Sequence, residues 1–208
     1  MHDLPRLYTI IDTSRGDIPH DELYARVRQI AAAGGRMFQL REKHKCARDR
    51  LEFGRHLATL LVGYRAHFFV NGRADLCMLL DADGIHLPQG GLPISSIHDI
   101  LPSTRLGVSC HNISELIAAE RGGARFATFS PIFSPKTPQS GPILGIDGLR
   151  KATQSTEMSI YALGGVTPDQ CQSCLKAGAH GVAVVGALMD ANDPYETTRE
   201  FLRALGEI

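Results

Sequence analysis

The chain has 208 residues, 43% of them apolar and 21% charged, with 22 Lys plus Arg against 22 Asp plus Glu. A chain of this length buries roughly 70% of its unfolded surface, so it needs neither disulfides nor a structural metal, and residues 1–208 read as one domain. Neutrality without blocks of like charge speaks against a nucleic-acid partner, and no apolar run approaches the ~18 residues of a membrane span. The start, MHDLPRLYTI, lacks the charged and apolar regions of a secretory signal, so a cytoplasmic protein is expected. Five cysteines, an odd number without paired metal-ligand spacings, read as free thiols in a reducing compartment.

In chain order, short β-rich runs alternate with helical patterns. The pattern places a strand at Leu7 to Ile11 and a helix over Asp21 to Ala33, then Met37 to Arg41 with a helix over Ala47 to Leu61. Next come His67 to Asn71 with Arg73 to Asp81, Gly84 to Leu87 with Ser95 to Leu101, and Arg105 to Ser109 with Ser114 to Arg121. Phe126 to Ser130 is followed, after a long connection, by a helix over Ile146 to Thr153. Ser159 to Leu163 with Pro168 to Ala177, and Gly181 to Val185 with Pro194 to Leu205, complete the series. Thr167 before Pro168 and Asp193 before Pro194 are helix starts, while Gly34-Gly35, Gly122-Gly123 and Gly178 are helix stops.

Eight strand–helix units in about 200 residues fit an α/β chain folded as a single (β/α)₈ TIM barrel. An open doubly wound sheet, which more often has five or six strands, stays open as the alternative. In a barrel, function gathers at the carboxyl ends of the strands, and that rule selects the residues of interest. The connection Pro131 to Gly145, with four prolines and two glycines, is long for a βα loop and reads as a lid or binding loop.

Along Phe38 to Lys43, the period of two puts Gln39, Arg41 and Lys43 on one face, with Phe38 and Leu40 toward the helices. Two cations at the mouth suit an anionic ligand; the alternative is a structural ion-pair layer with Asp12 or Glu42. Gly164 and Gly165 after the seventh strand, with Val185 and Gly186 at the end of the eighth, fit a phosphate site on backbone N–H groups, although tight turns use glycine for steric reasons too. Asn71, His86, Ser109 and His111 lie between these poles. His111 and His86 are candidate acid–base groups, set against the usual surface or packing histidine. Ser109 is a hydrogen-bond donor rather than a nucleophile, because no G-x-S-x-G elbow surrounds it. Cys171-Gln-Ser-Cys174 has redox-motif spacing but falls inside a helix of a barrel, and reads as packing.

Together, LYTIID from Leu7, FQLREK from Phe38, Asn71, DGIHLPQ from Asp83, GVSCH from Gly107, SPIFSPKT from Ser130, ALGGV from Ala162 and GAHGVAVV from Gly178 resemble the thiamine phosphate synthase family over nearly the whole chain. The resemblance implies a barrel that acts on a phosphorylated thiazole. It implies either a synthase, joining hydroxymethylpyrimidine diphosphate to thiazole phosphate with Mg²⁺, or a thiazole tautomerase. It assigns Gln39, Arg41, Lys43, Asn71 and Ser109 to the pyrimidine diphosphate, and Gly165 with the end of the eighth strand to the thiazole phosphate; Lys136 and Thr137 in the long loop join the substrate-binding set.

The sequence departs from the family where the synthase needs its metal. Asn-Asp after the third strand is here Asn71-Gly72, and the acidic residues after Gln89 are Gly90 and Gly91. Thr-Lys in the long loop becomes Thr137-Pro138, and the histidine some tautomerases carry after the sixth strand is Pro131. A site without those carboxylates should hold Mg²⁺ poorly, so no cofactor is expected unless the chain is a synthase. The expectation leans to a tautomerase-like isomerase, with a synthase, or a silent thiazole-phosphate or thiamine-phosphate binder acting as carrier or regulator, as alternatives. Association with copies of itself stays open.

Overall fold

The computed structural model describes residues 4–14, 18–134 and 142–208. Eight parallel strands pair in chain order and the eighth returns to the first, closing a barrel. The elements are β1 (Leu7–Asp12), α1 (His20–Ala32), β2 (Met37–Arg41), α2 (Ala47–Val62), β3 (His67–Asn71), α3 (Ala74–Leu79), β4 (Gly84–Leu87), α4 (Ile94–Ile100), β5 (Arg105–Cys110) and α5 (Ile113–Arg121). They continue with β6 (Phe126–Phe129), α6 (Gly145–Thr153), β7 (Ser159–Leu163), α7 (Pro168–Lys176), β8 (Gly181–Val184), α8 (Gly186–Met189) and α9 (Pro194–Leu205). The open-sheet alternative is therefore excluded. No helix among the described residues is long and apolar enough to cross a membrane.

Alternation along the strands builds two cores. Strand residues such as Ile11, Phe38, Val70 and Val182 point outward and pack against Val27, Leu57 and Phe201 of the helices. The opposite parity fills the barrel with Tyr8, Met37, Phe69, Phe126 and Tyr161, all inaccessible to solvent. Their rings meet mostly edge to face, with centroids 5.3 Å apart for Phe69–Phe126 and 5.6 Å for Tyr8–Tyr161. Such large rings fit because small residues face them. A side chain at Gly107 would overlap the Phe126 ring, and one at Gly84 would overlap Phe69. This is the packed interior of a barrel, with the large–small alternation that a narrow ring of strands demands.

Strands β2, β3, β4 and β7 begin and end where the pattern places them, because turn residues bound each apolar run on both sides. At the helix starts, the Asp193 carboxylate accepts from the Glu196 amide at 2.9 Å, and the Thr167 amide donates to Gln170 Oε1 at 2.9 Å. Helix α8 was not anticipated: four residues are too few to display a period of 3.6. Of the long connection, residues 135–141 lie outside the described part. Its two ends are tied together, the Leu144 amide donating to the Pro131 carbonyl at 2.9 Å and the Gly145 amide to that of Ile132 at 3.1 Å. On the amino-terminal side of the barrel the segment before β1 meets the end of α9, where the Arg6 amide donates to Glu207 Oε1 at 2.9 Å and the Arg6 guanidinium to the Leu205 carbonyl at 2.7 Å.

Candidate active site

Above the aromatic layer, toward the carboxyl ends of the strands, the inward positions turn polar. Gln39 on β2 donates from Nε2 to Tyr8 Oη at 2.7 Å and accepts at Oε1 from Asn71 Nδ2 at 3.2 Å. His86 on β4 lies between Tyr8 Oη, 3.4 Å from Nδ1, and Ser109 Oγ, 3.0 Å from Nε2. Thr128 Oγ1 on β6 reaches Ser109 Oγ at 3.5 Å. Gln39, His86 and Thr128 are buried, and Asn71 and Ser109 form the upper, half-buried edge. Five adjacent barrel strands, with β1, thus supply one connected polar layer. Gln39 and Ser109 are expected from strand parity, and Asn71 and His86 from their place in the third and fourth strands, whereas Tyr8 and Thr128 carry no sequence signal beyond their inward position.

Burial without a carboxylate partner holds the His86 ring down to about 3. It is neutral near neutral pH and lies inside the barrel, below the rim. His111, just past β5, is half-buried, and its Nδ1 is 2.8 Å from the Ser130 carbonyl oxygen. A carbonyl only accepts, so Nδ1 carries the hydrogen and a neutral His111 keeps the lone pair on Nε2, the form a general base needs. The adjacent Ser130–Pro131 peptide is cis.

At the rim of β1 and β2, Asp12 and Arg41 sit in direct register, and the Arg41 guanidinium donates to the Asp12 carboxylate. Asp12 also accepts from the Ser14 amide at 3.0 Å. The ion-pair alternative weighed for Arg41 is therefore present, and its remaining donors are what a ligand could use. Lys43 lies beyond the end of β2 and is exposed, so it shares a rim with Arg41 rather than a strand face. Burial pushes the Glu42 carboxyl up, but hydrogen bonds from Thr13 and the Lys45 and His44 amides, with the Lys45 charge, pull it below the usual range.

On the far side, Gly164 and Gly165 have φ of +96° and +66°. The amide of Phe133 donates to the Gly164 carbonyl at 2.9 Å, and a Cβ on Gly165 would stand 2.5 Å from the Ser134 carbonyl oxygen. These glycines let the β6 loop lie against the β7 loop, a packing reason that exists beside any phosphate. Val185 immediately precedes α8 and Gly186 opens it, so a short extra helix starts at the end of β8, as at many barrel phosphate sites. Lys136 and Thr137 lie outside the described residues.

The donor set does not fit a carboxylate-held Mg²⁺. Gly72 and Gly91 offer no ligand atoms beyond backbone, and a Cβ on Gly91 would stand 2.9 Å from the Pro88 carbonyl oxygen. The nearby acids are engaged: Asp12 with Arg41, Glu42 with Thr13, and Glu115 with Gln89 Nε2 and the His111 amide at 2.9 and 2.7 Å. Among the described residues no three or more His, Cys, Asp or Glu groups gather as a metal site. Cys171 and Cys174 are buried on the helix side with thiols pushed up by burial to about 12 and 11, which agrees with packing. A separate concavity of about 470 Å³, lined by Tyr24, Arg28, Arg55, His56 and Tyr64 among others, lies against α1 and α2, away from the strand ends.

Similarity to known proteins agrees with the geometry. The family described as thiamine monophosphate synthase matches residues 7–188. A thiamine-phosphate synthase of Pyrococcus furiosus is 33% identical over 182 residues, 88% of each chain. One of Chloroflexus aurantiacus is 36% identical over 204 residues, covering 96% of this chain and 92% of the relative. The solved structure of a thiamine phosphate pyrophosphorylase from Pyrococcus furiosus superposes with a TM-score of 0.87 at 31% identity, over 97% of this chain and 96% of the other. The family match over residues 7–188, with relatives 33 and 36% identical over 88 and 96% of the chain, identifies the chain as a member of the thiamine monophosphate synthase family.

Proposed function

We propose that the barrel is a transferase of the thiamine-phosphate-synthase type, joining a hydroxymethylpyrimidine diphosphate to a thiazole phosphate. The observation that carries this reading is the length-wide similarity to relatives of that name, at 33 and 36% identity. The leaning toward isomerisation, drawn from the lost carboxylates and the other departures on the diphosphate side, finds no support among those names. In the proposed reaction the carbon–oxygen bond to pyrophosphate breaks and a bond from the same carbon to the thiazole forms. Gln39, Asn71 and Ser109 face the pyrimidine, and Arg41 and Lys43 face its diphosphate. Gly164, Gly165, Val185 and Gly186 form the thiazole-phosphate end, and Lys136 and Thr137 belong to the loop between them. Because the rim lacks the two carboxylates, neutralising the departing pyrophosphate falls to the side-chain cations.

One observation favours a second reading. Gly72 and Gly91 remove the acids that a diphosphate-bound cation would use, while His111 keeps an Nε2 lone pair suited to moving a proton on a thiazole. Incubation with both synthase substrates, with and without Mg²⁺ and read by fluorescence of the oxidised product, separates the two. Thiamine phosphate formation is expected. Its absence at millimolar Mg²⁺, together with isomerisation of thiazole carboxylate phosphate followed by NMR, would overturn the transferase reading in favour of the isomerase.

A further inference from the structure

The polar layer is a directed chain, and its direction is set at one end by the backbone. Asn71 Nδ2 lies 3.4 Å from the His86 carbonyl oxygen, which can only accept, so the amide nitrogen must face it. The same nitrogen donates to Gln39 Oε1, which turns Gln39 Nε2 onto Tyr8 Oη. Tyr8 Oη is then an acceptor from Gln39, and its single hydrogen goes to His86 Nδ1. A neutral imidazole that accepts at Nδ1 carries its hydrogen on Nε2 and donates to Ser109 Oγ. Ser109 Oγ accepts there and again from Thr128 Oγ1. What remains for the mouth is the Ser109 hydrogen and the Asn71 carbonyl oxygen.

We infer that Tyr8 and His86 are positioning residues that fix the hydrogen-bond polarity of the mouth, making Ser109 a donor and Asn71 an acceptor toward the ligand. The inference rests on the reading that Ser109 and Asn71 touch substrate. It deepens that reading by naming a chemical preference: a ligand that presents an acceptor to Ser109 and a donor to Asn71, over an isostere with the order reversed. Burial supports the wire, because a ring held down to about 3 carries one hydrogen at neutral pH and cannot donate from both nitrogens. Tyr8 is fully buried too, and its phenol is held well above the ordinary range, so it stays a donor.

The wild-type protein tests this without turnover. Long-range ¹H–¹⁵N NMR of the histidine rings is expected to show one neutral histidine of the Nε2–H form, unchanged between about pH 6 and 8 and assigned to His86 by its loss in His86→Gln. An Nδ1–H or doubly protonated His86 in that range would overturn the inference. In Tyr8→Phe the Nδ1 partner is gone, and the ring is expected to become a mixture of tautomers. KM for the pyrimidine diphosphate should then rise about tenfold with KM for the thiazole phosphate unchanged, the size of one buried hydrogen bond. Equal changes in both constants would mean a merely structural role. His86→Gln retains a donor for Ser109 and is expected to keep more activity than His86→Leu; equal losses would count against the wire. No turnover in a wild-type protein that shows the Nε2–H form would sink the transferase reading and leave the polarity standing.

Discussion

A methyl group at Gly91 would meet the Pro88 carbonyl oxygen at 2.9 Å and its Cδ at 3.1 Å, while one at Gly72 would meet only the Pro88 ring, Cδ at 3.3 Å and Cγ at 3.5 Å. The two lost acids are therefore unequal to restore. Gly91→Asp must move backbone and is expected to lower stability by about 1–3 kcal/mol, seen as a lower melting temperature. Gly72→Asp keeps a φ of +67°, a region Asp visits more readily than most residues, and should cost about 1 kcal/mol. Mg²⁺ alone, titrated calorimetrically, should bind Gly72→Asp more tightly than the parent chain; equal affinity would show that this rim is not where a cation can be held. Residues at this scale were legible when parity and polarity coincided. Gln39, Asn71 and Ser109 are polar groups on inward positions of apolar strands. Tyr8 was not legible, because an aromatic in LYTIID serves a core equally well, and only its hydrogen bonds reveal the second use. The Arg41–Asp12 pair was foreseen as an alternative but could not be chosen, since register between neighbouring strands decides it.

At the scale of the element, the barrel interior is a fit between large rings and missing side chains. Gly107→Ala is expected to destabilise by about 1–3 kcal/mol in urea unfolding, because its methyl group overlaps the Phe126 ring. Gly90→Ala, with nothing within 4 Å of the new atom, should lose only about 1 kcal/mol from its φ of +70°. Similar losses at the two sites would mean that the rings have room to shift. Strands were legible because glycine-rich turns and β-branched or aromatic runs mark both boundaries. Helix α8 was hidden by its length, although it borders the expected phosphate end. The glycines of that end were noticed for their chemistry, and the structure adds that Gly165 is also required by the approach of the Ser134 carbonyl.

For the whole molecule, the fold was readable from eightfold alternation, whereas closure depends on β8 meeting β1, a contact between residues such as Leu7 and Val182 that no local pattern announces. Closure also buries His86, with a consequence for acid stability. An unfolded histidine takes up a proton near its ordinary 6.5, and the folded one does so only near 3. Between those values acid protonates the unfolded chain preferentially, so stability present above about pH 6.5 is lost as pH falls toward 3, by on the order of a few kcal/mol. Urea midpoints measured from pH 7 to 5 should fall less steeply in His86→Gln than in the parent; parallel slopes would place the acid sensitivity elsewhere. The hydrogen bonds from Arg6 to Glu207 and Leu205 carry a further consequence. A ring of strand–helix units in which the segment before β1 already touches the end of α9 has no obligatory starting point. A circular permutant, with a short linker across that seam and a new opening at the Gly63 turn, should refold to the same far-ultraviolet spectrum while its translation begins at β3.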